Sequence, residues 1–456
     1  MSDKKTMIND LSTGSLFRQI ILFSIPFMLS NMLQSLYSIV DMIVIGRFVG
    51  SVGLSAVSNG AQMIMFFTFM GMGFASAGQI LIAQYVGSQD RGGIYRTVGT
   101  VFSLLAIAGL VFGAVGLIFA EPLLRLLNVP EEAMSDSVAY LRICAAGLIF
   151  TYGYNAVSAI LRGMGESRRP LLFVAIAALT NLILDLVFVA LFHMGPAGAA
   201  LATILGQILS FVISIIYLVR RKEQFVFDFK LSGFRIDPTT ARRLLALGAP
   251  MAIQSAAISI SCMVTNAFVN SYGVAASAVT GVGAKLMDVI CIVSWGLSGA
   301  GSTIVAQNMG AGKPDRVKKF VHISLALCLG TVGACCIVCL LMPRQIVGIF
   351  SQDADVLALA PEYIKIMVVG LIASAIMPSY CAVINGIGFA SLSLAIGLTD
   401  GVVARIGLSL LLGIVLDLGL DGFWLGTALA GYVTAIGSMI YFYSGHWQKR
   451  KLITQQ

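Results

Sequence analysis

The chain has 456 residues, 58% of them hydrophobic and only 11% charged, with a mean hydropathy of +0.92, and this leaves too little polar surface for a soluble globule. The net charge of +8 does not require nucleic acid, because the basic residues fall in segments flanking long apolar runs, where they face anionic lipid. A membrane barrel is excluded as well: its strands alternate polar and apolar residues over about ten positions, and runs such as Leu171–Leu179 do not alternate.

A helix needs about 20 apolar residues to cross the hydrocarbon core, and the chain supplies twelve such stretches in order. The first begins after a flank carrying Asp3 and Asp10 and is much longer than a secretory h-region, so it reads as span 1 and not as a cleaved signal. Spans 1 to 6 are expected at 16–45, 54–86, 97–119, 138–161, 171–192 and 197–219. The polar stretch 220–243 reads as a linker between lobes. Spans 7 to 12 follow at 244–270, 275–307, 320–342, 362–385, 391–414 and 422–443. Bends are expected at Pro26, Pro250 and Pro378, where the ring removes a backbone donor. Around Glu121–Tyr140 and Arg344–Glu362 each half carries a matching connection, read as a short amphipathic helix. The expectation is an all-α polytopic membrane protein: a six-helix N-lobe (1–219), the linker (220–243) and a pseudo-symmetric six-helix C-lobe (244–456).

The lobes are predicted from an internal repeat. Gly73, Gly78, Ala83-Gln84, Gly87, Tyr140, Gly147, Gly163 and Gly165 recur as Gly296, Gly301, Ala306-Gln307, Gly310, Tyr363, Gly370, Gly386 and Gly388, an ungapped offset of 223. That period is too long for a solenoid and fits half of a duplicated transporter bundle with a substrate cavity between its halves. With the N-terminus inside, all but seven of the 29 Lys and Arg fall in cytoplasmic segments; the exceptions are Arg47, Arg125, Arg142, Lys285, Arg344, Lys365 and Arg405. The positive-inside rule therefore places both termini in the cytoplasm. Six spans per half is an even number, so both halves enter from the same side.

Several chemistries drop out. The eight Cys lie in apolar stretches, and Cys336-Ile-Val-Cys339 falls within span 9, where packing is the simpler reading. His193, His322 and His446 show no metal spacing. Gly310-Ala-Gly312-Lys313 lacks a P-loop's preceding strand and first glycine, and Pro314 stands where Ser or Thr would hold magnesium. No nucleophile–base pair or cofactor motif appears, so the chain does not read as an enzyme, and uphill transport needs an ion gradient.

Charges inside spans cost about 2.5–3.5 kcal/mol on insertion scales and mark pathways or relays. Four acids qualify: Asp41, Asp185, Asp288 and Asp400. Asp288 follows Lys285 by three residues, which allows an ion pair on one helix face. Asp400 precedes Arg405 by five, a less suitable spacing on one helix, which leaves open a pair bridging neighbouring helices. Asp41 and Asp185 have no basic residue in their spans. Asn181 shares a face with Asp185, and Thr203 begins span 6 at similar depth. Together they could form an oxygen cage for a small cation, a shared proton site, or a polar knot that fixes packing.

The paired signatures Gly78-Gln-Ile-Leu-Ile-Ala-Gln-Tyr-Val-Gly87 and Gly301-Ser-Thr-Ile-Val-Ala-Gln-Asn-Met-Gly310 resemble those of the multidrug and toxic compound extrusion (MATE) transporters of the MOP flippase superfamily. Pro26, Pro250, Arg162-Gly-Met-Gly165 and Asn181-xxx-Asp185 add to the resemblance. It implies twelve helices in two lobes around a V-shaped cavity, and efflux of cationic or amphiphilic drugs against Na+ or H+. It also implies an N-lobe cation site at Asp41, Asn181, Asp185 and Thr203, with Asn155 nearby and Pro26 as the hinge of span 1. No acid stands between Met251 and Asn270 or between Tyr363 and Asn385, so a C-lobe acid site in spans 7 and 10 is not expected. Met63, Met70, Gln34, Asp288 and Asp400 are candidates for the substrate cavity. The expected function is a plasma-membrane antiporter, acting as a monomer, with small organic cations as partners and no cofactor beyond the coupling ion. A lipid-linked oligosaccharide flippase is the alternative.

Overall fold

A computed structural model describes residues 7–127, 129–222 and 224–455. All regular structure among these residues is helical. Ten helices are long and apolar enough to cross a membrane, and two further pairs, each bent by 48°, bring the number to twelve. Spans 1 to 3 are Leu16–Phe48, Ser51–Gly87 and Arg91–Ile118. Span 4 is the bent pair Glu131–Ala146 and Leu148–Gly163. Span 5 runs over Arg168–Asp185 and continues as the π-helix Leu186–Leu191, and span 6 is Gly195–Arg220. Span 7 is Pro238–Asn270, and span 8 is the second bent pair, Val274–Ile290 and Ile292–Gly310. Spans 9 and 10 are Pro314–Leu341 and Ala354–Gly386. Span 11 begins at Ala390 and contains the π-helices Thr399–Ile406 and Leu411–Val415; span 12 is Gly419–Tyr443. The short helices Ala120–Leu126 and Pro343–Gly348 occupy the two matching connections.

The repeat is kept where helices touch. A Cβ on Gly163 would lie 2.7 Å from the Gln79 carbonyl oxygen, and one on Gly386 would lie 2.8 Å from that of Ser302, its counterpart 223 residues on. Gly60 lies against Tyr140 as Gly283 lies against Tyr363: an added Cβ would come within 2.5 Å of Tyr140 Cδ1 in the one case and would overlap the Tyr363 hydroxyl in the other. Helices approaching this closely leave no room for a side chain. The breaks do not follow the repeat: span 4 is bent while span 10, its counterpart, is continuous, and span 8 is bent while span 2 is not.

The chain divides into two compact units, and their boundaries differ from those read in the sequence. Among the described residues, the first unit holds those up to Leu11 together with those of Ile25–Ala252, and the second holds Ser12–Ser24 and those from Ile253 onward. The linker and the first turns of span 7 therefore pack in the first unit, and the first turns of span 1 pack in the second. Both crossings lie within continuous helices, two residues from Pro26 and from Pro250. The linker docks on span 3: Tyr95 donates to Asp228 at 2.9 Å, Ser103 to the Phe234 carbonyl, and the rings of Tyr95, Phe102, Phe227, Phe229 and Phe234 cluster.

Each exchanged end is pinned at the same place in the repeat. In the first unit Arg243 of span 7 donates to the Tyr85 hydroxyl at 2.8 Å. In the second, Arg316 donates to Asn308, the counterpart of Tyr85, and also to Gln19 of span 1, both at 3.0 Å. Lys313 adds a bond to the Ser12 carbonyl at 2.9 Å. The Ala-Gln-xxx turn closing spans 2 and 8 is thus a clasp for the incoming helix.

A candidate cation site in the first unit

The α-helical part of span 5 ends at Asp185, the residue before the π turn, and Asn181 stands one turn earlier on the same face. Both side chains are buried, Asp185 completely. Gly206 of span 6 makes this possible: a Cβ there would lie 2.8 Å from the Ala177 carbonyl oxygen and 3.4 Å from Asn181 Cβ. Thr203, one turn before Gly206, accepts a long 3.4 Å bond from Asn181 Nδ2 while donating to Ala199 in its own helix. Asp41, half-buried on span 1, reaches hydrogen-bonding range of both Asp185 and Asn181. Spans 1, 5 and 6 thus bring these four side chains near one another.

Their oxygens share a deficit. No N–H or O–H donates to Asp41 Oδ1, to Asn181 Oδ1 or to either carboxylate oxygen of Asp185. Two carboxylates this close repel, and leaving buried acceptors unsatisfied costs about 1–3 kcal/mol each. A positive charge, either a proton on one carboxyl or a small cation held by all the oxygens, removes both penalties. The surroundings strengthen the demand. Val44 and Ile45, one turn beyond Asp41, join Val57, Tyr140, Cys144, Val189, Ala199 and Ala200 in an apolar cluster that keeps the local dielectric low. Tyr37 and Tyr140 also lie within electrostatic reach of Asp41. Tyr37 was not singled out in the sequence and Tyr140 only as a marker of the repeat, because a Tyr on an apolar face gives no sign of which acid it approaches.

The remaining candidates sit apart. Asn155 is half-buried on span 4. Pro26 lies inside span 1, where Ser30 back-bonds to its carbonyl at 2.8 Å, an arrangement that favours bending. Met63 is buried, Met70 half-buried and Gln34 exposed. Asp288 pairs with Lys285 at 3.9 Å, both side chains more than half exposed. Asp400 is buried, paired to Arg405 at 3.2 Å and accepting from Thr434 at 2.9 Å. The spacing of five, unsuitable in an α-helix, works because both residues lie in a π-helix, whose bonds close at i+5. Asp400 is therefore a neutralised acid inside the second unit. Among the described residues no three His, Cys, Asp or Glu gather as metal ligands.

Known proteins resemble this chain over most of its length. The MatE family matches the chain twice, over residues 26–187 and 250–417, one match per half of the repeat. The probable multidrug resistance protein YpnP of Bacillus subtilis is 27% identical over 449 residues, covering 98% of this chain and 99% of that protein. The probable multidrug resistance protein NorM of Thermotoga maritima is 24% identical over 454 residues, covering 96% and 95%. A solved outward-facing multidrug resistance MATE family transporter of the MOP superfamily superposes with a TM-score of 0.90 at 22% identity, covering 98% of this chain and all of that one. The chain belongs to the MatE family, a family of transporters and not of enzymes.

Proposed function

We propose that this transporter exports organic, mainly cationic amphiphiles in exchange for Na+ or H+, and that Asp41 and Asp185, helped by Asn181 and Thr203, hold the coupling ion. The observation that carries the reading is the set of buried acceptor oxygens facing one another without a donor. Ion binding in one conformation and drug binding in the other make the two compete, which is what antiport requires. Filling the acid pair pulls Asp41 toward span 5 and bends span 1 at Pro26, where a backbone bond is already missing. The protein is placed in the plasma membrane as a monomer with both termini cytoplasmic, because the basic residues favour that side. Relatives named for multidrug resistance support a drug substrate.

The test is efflux of a cationic dye from proteoliposomes under an imposed Na+ gradient, an imposed pH gradient, or neither. One gradient should drive wild-type export, and Asp41→Asn should abolish that dependence. Wild-type export indifferent to both gradients would remove the ion from the mechanism.

A further inference from the structure

We propose that the cavity between the linker and the first turns of span 3 is a binding site for a phosphate monoester. The site goes beyond the export reading and does not depend on which drug or ion is carried. The cavity measures about 370 Å3, within the roughly 300–1,000 Å3 of small-molecule sites. Tyr95 and Arg96 of span 3 line it on one side, and Ser232, Gly233, Arg235 and Asp237 on the other. The two sides meet in a tight seam. A Cβ on Gly99 of span 3 would overlap the Gly233 carbonyl oxygen, and one on Gly233 would lie 2.6 Å from the Tyr95 hydroxyl. Tyr95 in turn donates to Asp228, and its ring packs against Phe227, so the lining is held in place.

The charges of this lining do not balance. Among the described residues neither the Arg96 nor the Arg235 guanidinium makes a hydrogen bond or an ion pair, and both residues are exposed. The carboxylate in the lining, Asp237, accepts the Thr240 hydroxyl and N–H on one oxygen, at 2.6 and 2.8 Å, as the cap of span 7. Arg243 as well as Arg96 lies within electrostatic reach of it, so guanidiniums outnumber this acid. Asp228 is already occupied by Tyr95 and Lys230. Two guanidiniums on separate elements, together with the Ser232 hydroxyl, offer donors enough for a tetrahedral dianion. A carboxylate would fill the fork of one arginine with both its oxygens and leave the other unmatched. An anion held by both arginines ties the linker to span 3. The linker lies on the side read as cytoplasmic, where soluble phosphate esters and anionic lipid headgroups both occur.

Calorimetric titration of purified full-length protein, washed free of native lipid, tests this at fixed ionic strength. The probes are glycerol 3-phosphate, short-chain dihexanoyl phosphatidic acid, and glycerate as the carboxylate of comparable size. A phosphate monoester should bind, and glycerate should bind about tenfold more weakly or not at all. Arg96→Gln and Arg235→Gln should each weaken phosphate binding about tenfold. Arg168→Gln, which removes an exposed arginine outside the cavity, should leave it unchanged. None of the three touches the aromatic seam, so melting temperatures without ligand should stay at the wild-type value. Arginine-dependent binding of phosphatidic acid alone would assign the site to a lipid headgroup, of glycerol 3-phosphate alone to a soluble ester, and of both to the shared phosphate. Binding of neither would overturn the proposal. So would glycerate bound as tightly as phosphate, or an affinity that Arg168→Gln lowers as much as the cavity substitutions do.

Discussion

Asp41, Asn181, Asp185 and Thr203 were legible in the sequence because an acid without a basic partner is rare in an apolar span and one helical turn fixes its neighbours. Their meeting point depends on Gly206, which no such rule singles out. Gly206→Val should force span 6 off the Ala177 carbonyl, open the contact at Asn181 and weaken ion coupling about as much as loss of the acid. Stability should fall by about 1–3 kcal/mol, read as a lower melting temperature in detergent. Asp41→Asn should behave differently: it relieves a like-charge contact and should keep or raise the melting temperature while ion-driven efflux disappears. A destabilised Asp41→Asn would show that the pair serves packing and not the ion. Asp400 makes the opposite point. Its spacing from Arg405 read as a poor match, and the π turn that brings them together is set by packing and not by local residue preference.

At the scale of elements, the ends of spans 1 and 7 are the informative parts. Each is held by the closing turn of span 8 or span 2, through Arg316 or through Arg243. Hydrogen bonds from charged groups contribute about 1.5–3 kcal/mol. Arg243→Ala and Tyr85→Phe should each destabilise the protein, and the double substitution should cost clearly less than the sum. Additive effects in that thermal-shift cycle would mean the bond carries no stability. Span 7 also has a pH-dependent start. The Thr240 hydroxyl, and then its N–H, donate to Asp237 and hold its carboxyl below the usual carboxylate range. A depressed folded-state value gives stability that is complete above the unfolded value, about 3.9, and lost as pH falls through the folded one. Asp237→Ala should cost about 1 kcal/mol at neutral pH and flatten the stability loss of wild type below about pH 4. Parallel acid profiles for the two proteins would exclude Asp237 as the titrating group.

For the whole molecule, the exchange of helix ends decides how the chain tolerates cutting. A break after the exposed Lys230 leaves Ser12–Ser24 on one fragment and Pro238–Ala252 on the other, each belonging to the unit built mostly from its counterpart. Co-expressed fragments should therefore purify together in mild detergent and retain part of the efflux. Fragments that separate would show that the clasps at Tyr85 and Asn308 do not hold the units' borrowed turns. The linker contributes on one side alone, through its aromatic contacts with span 3.

Composition and periodicity by themselves determined the solvent, the helices, their number and the duplication, because crossing a bilayer constrains length and polarity residue by residue. They also determined which acids stand without a local partner. Only the tertiary structure decided where the two units divide, which helix ends they exchange, and that Asp400 is neutralised while Asp41 faces another acid. Those outcomes depend on contacts between residues far apart in the chain, such as Gly206 with Ala177 and Arg316 with Gln19, where close approach and hydrogen-bond geometry select one arrangement from many that the hydrophobic pattern permits equally.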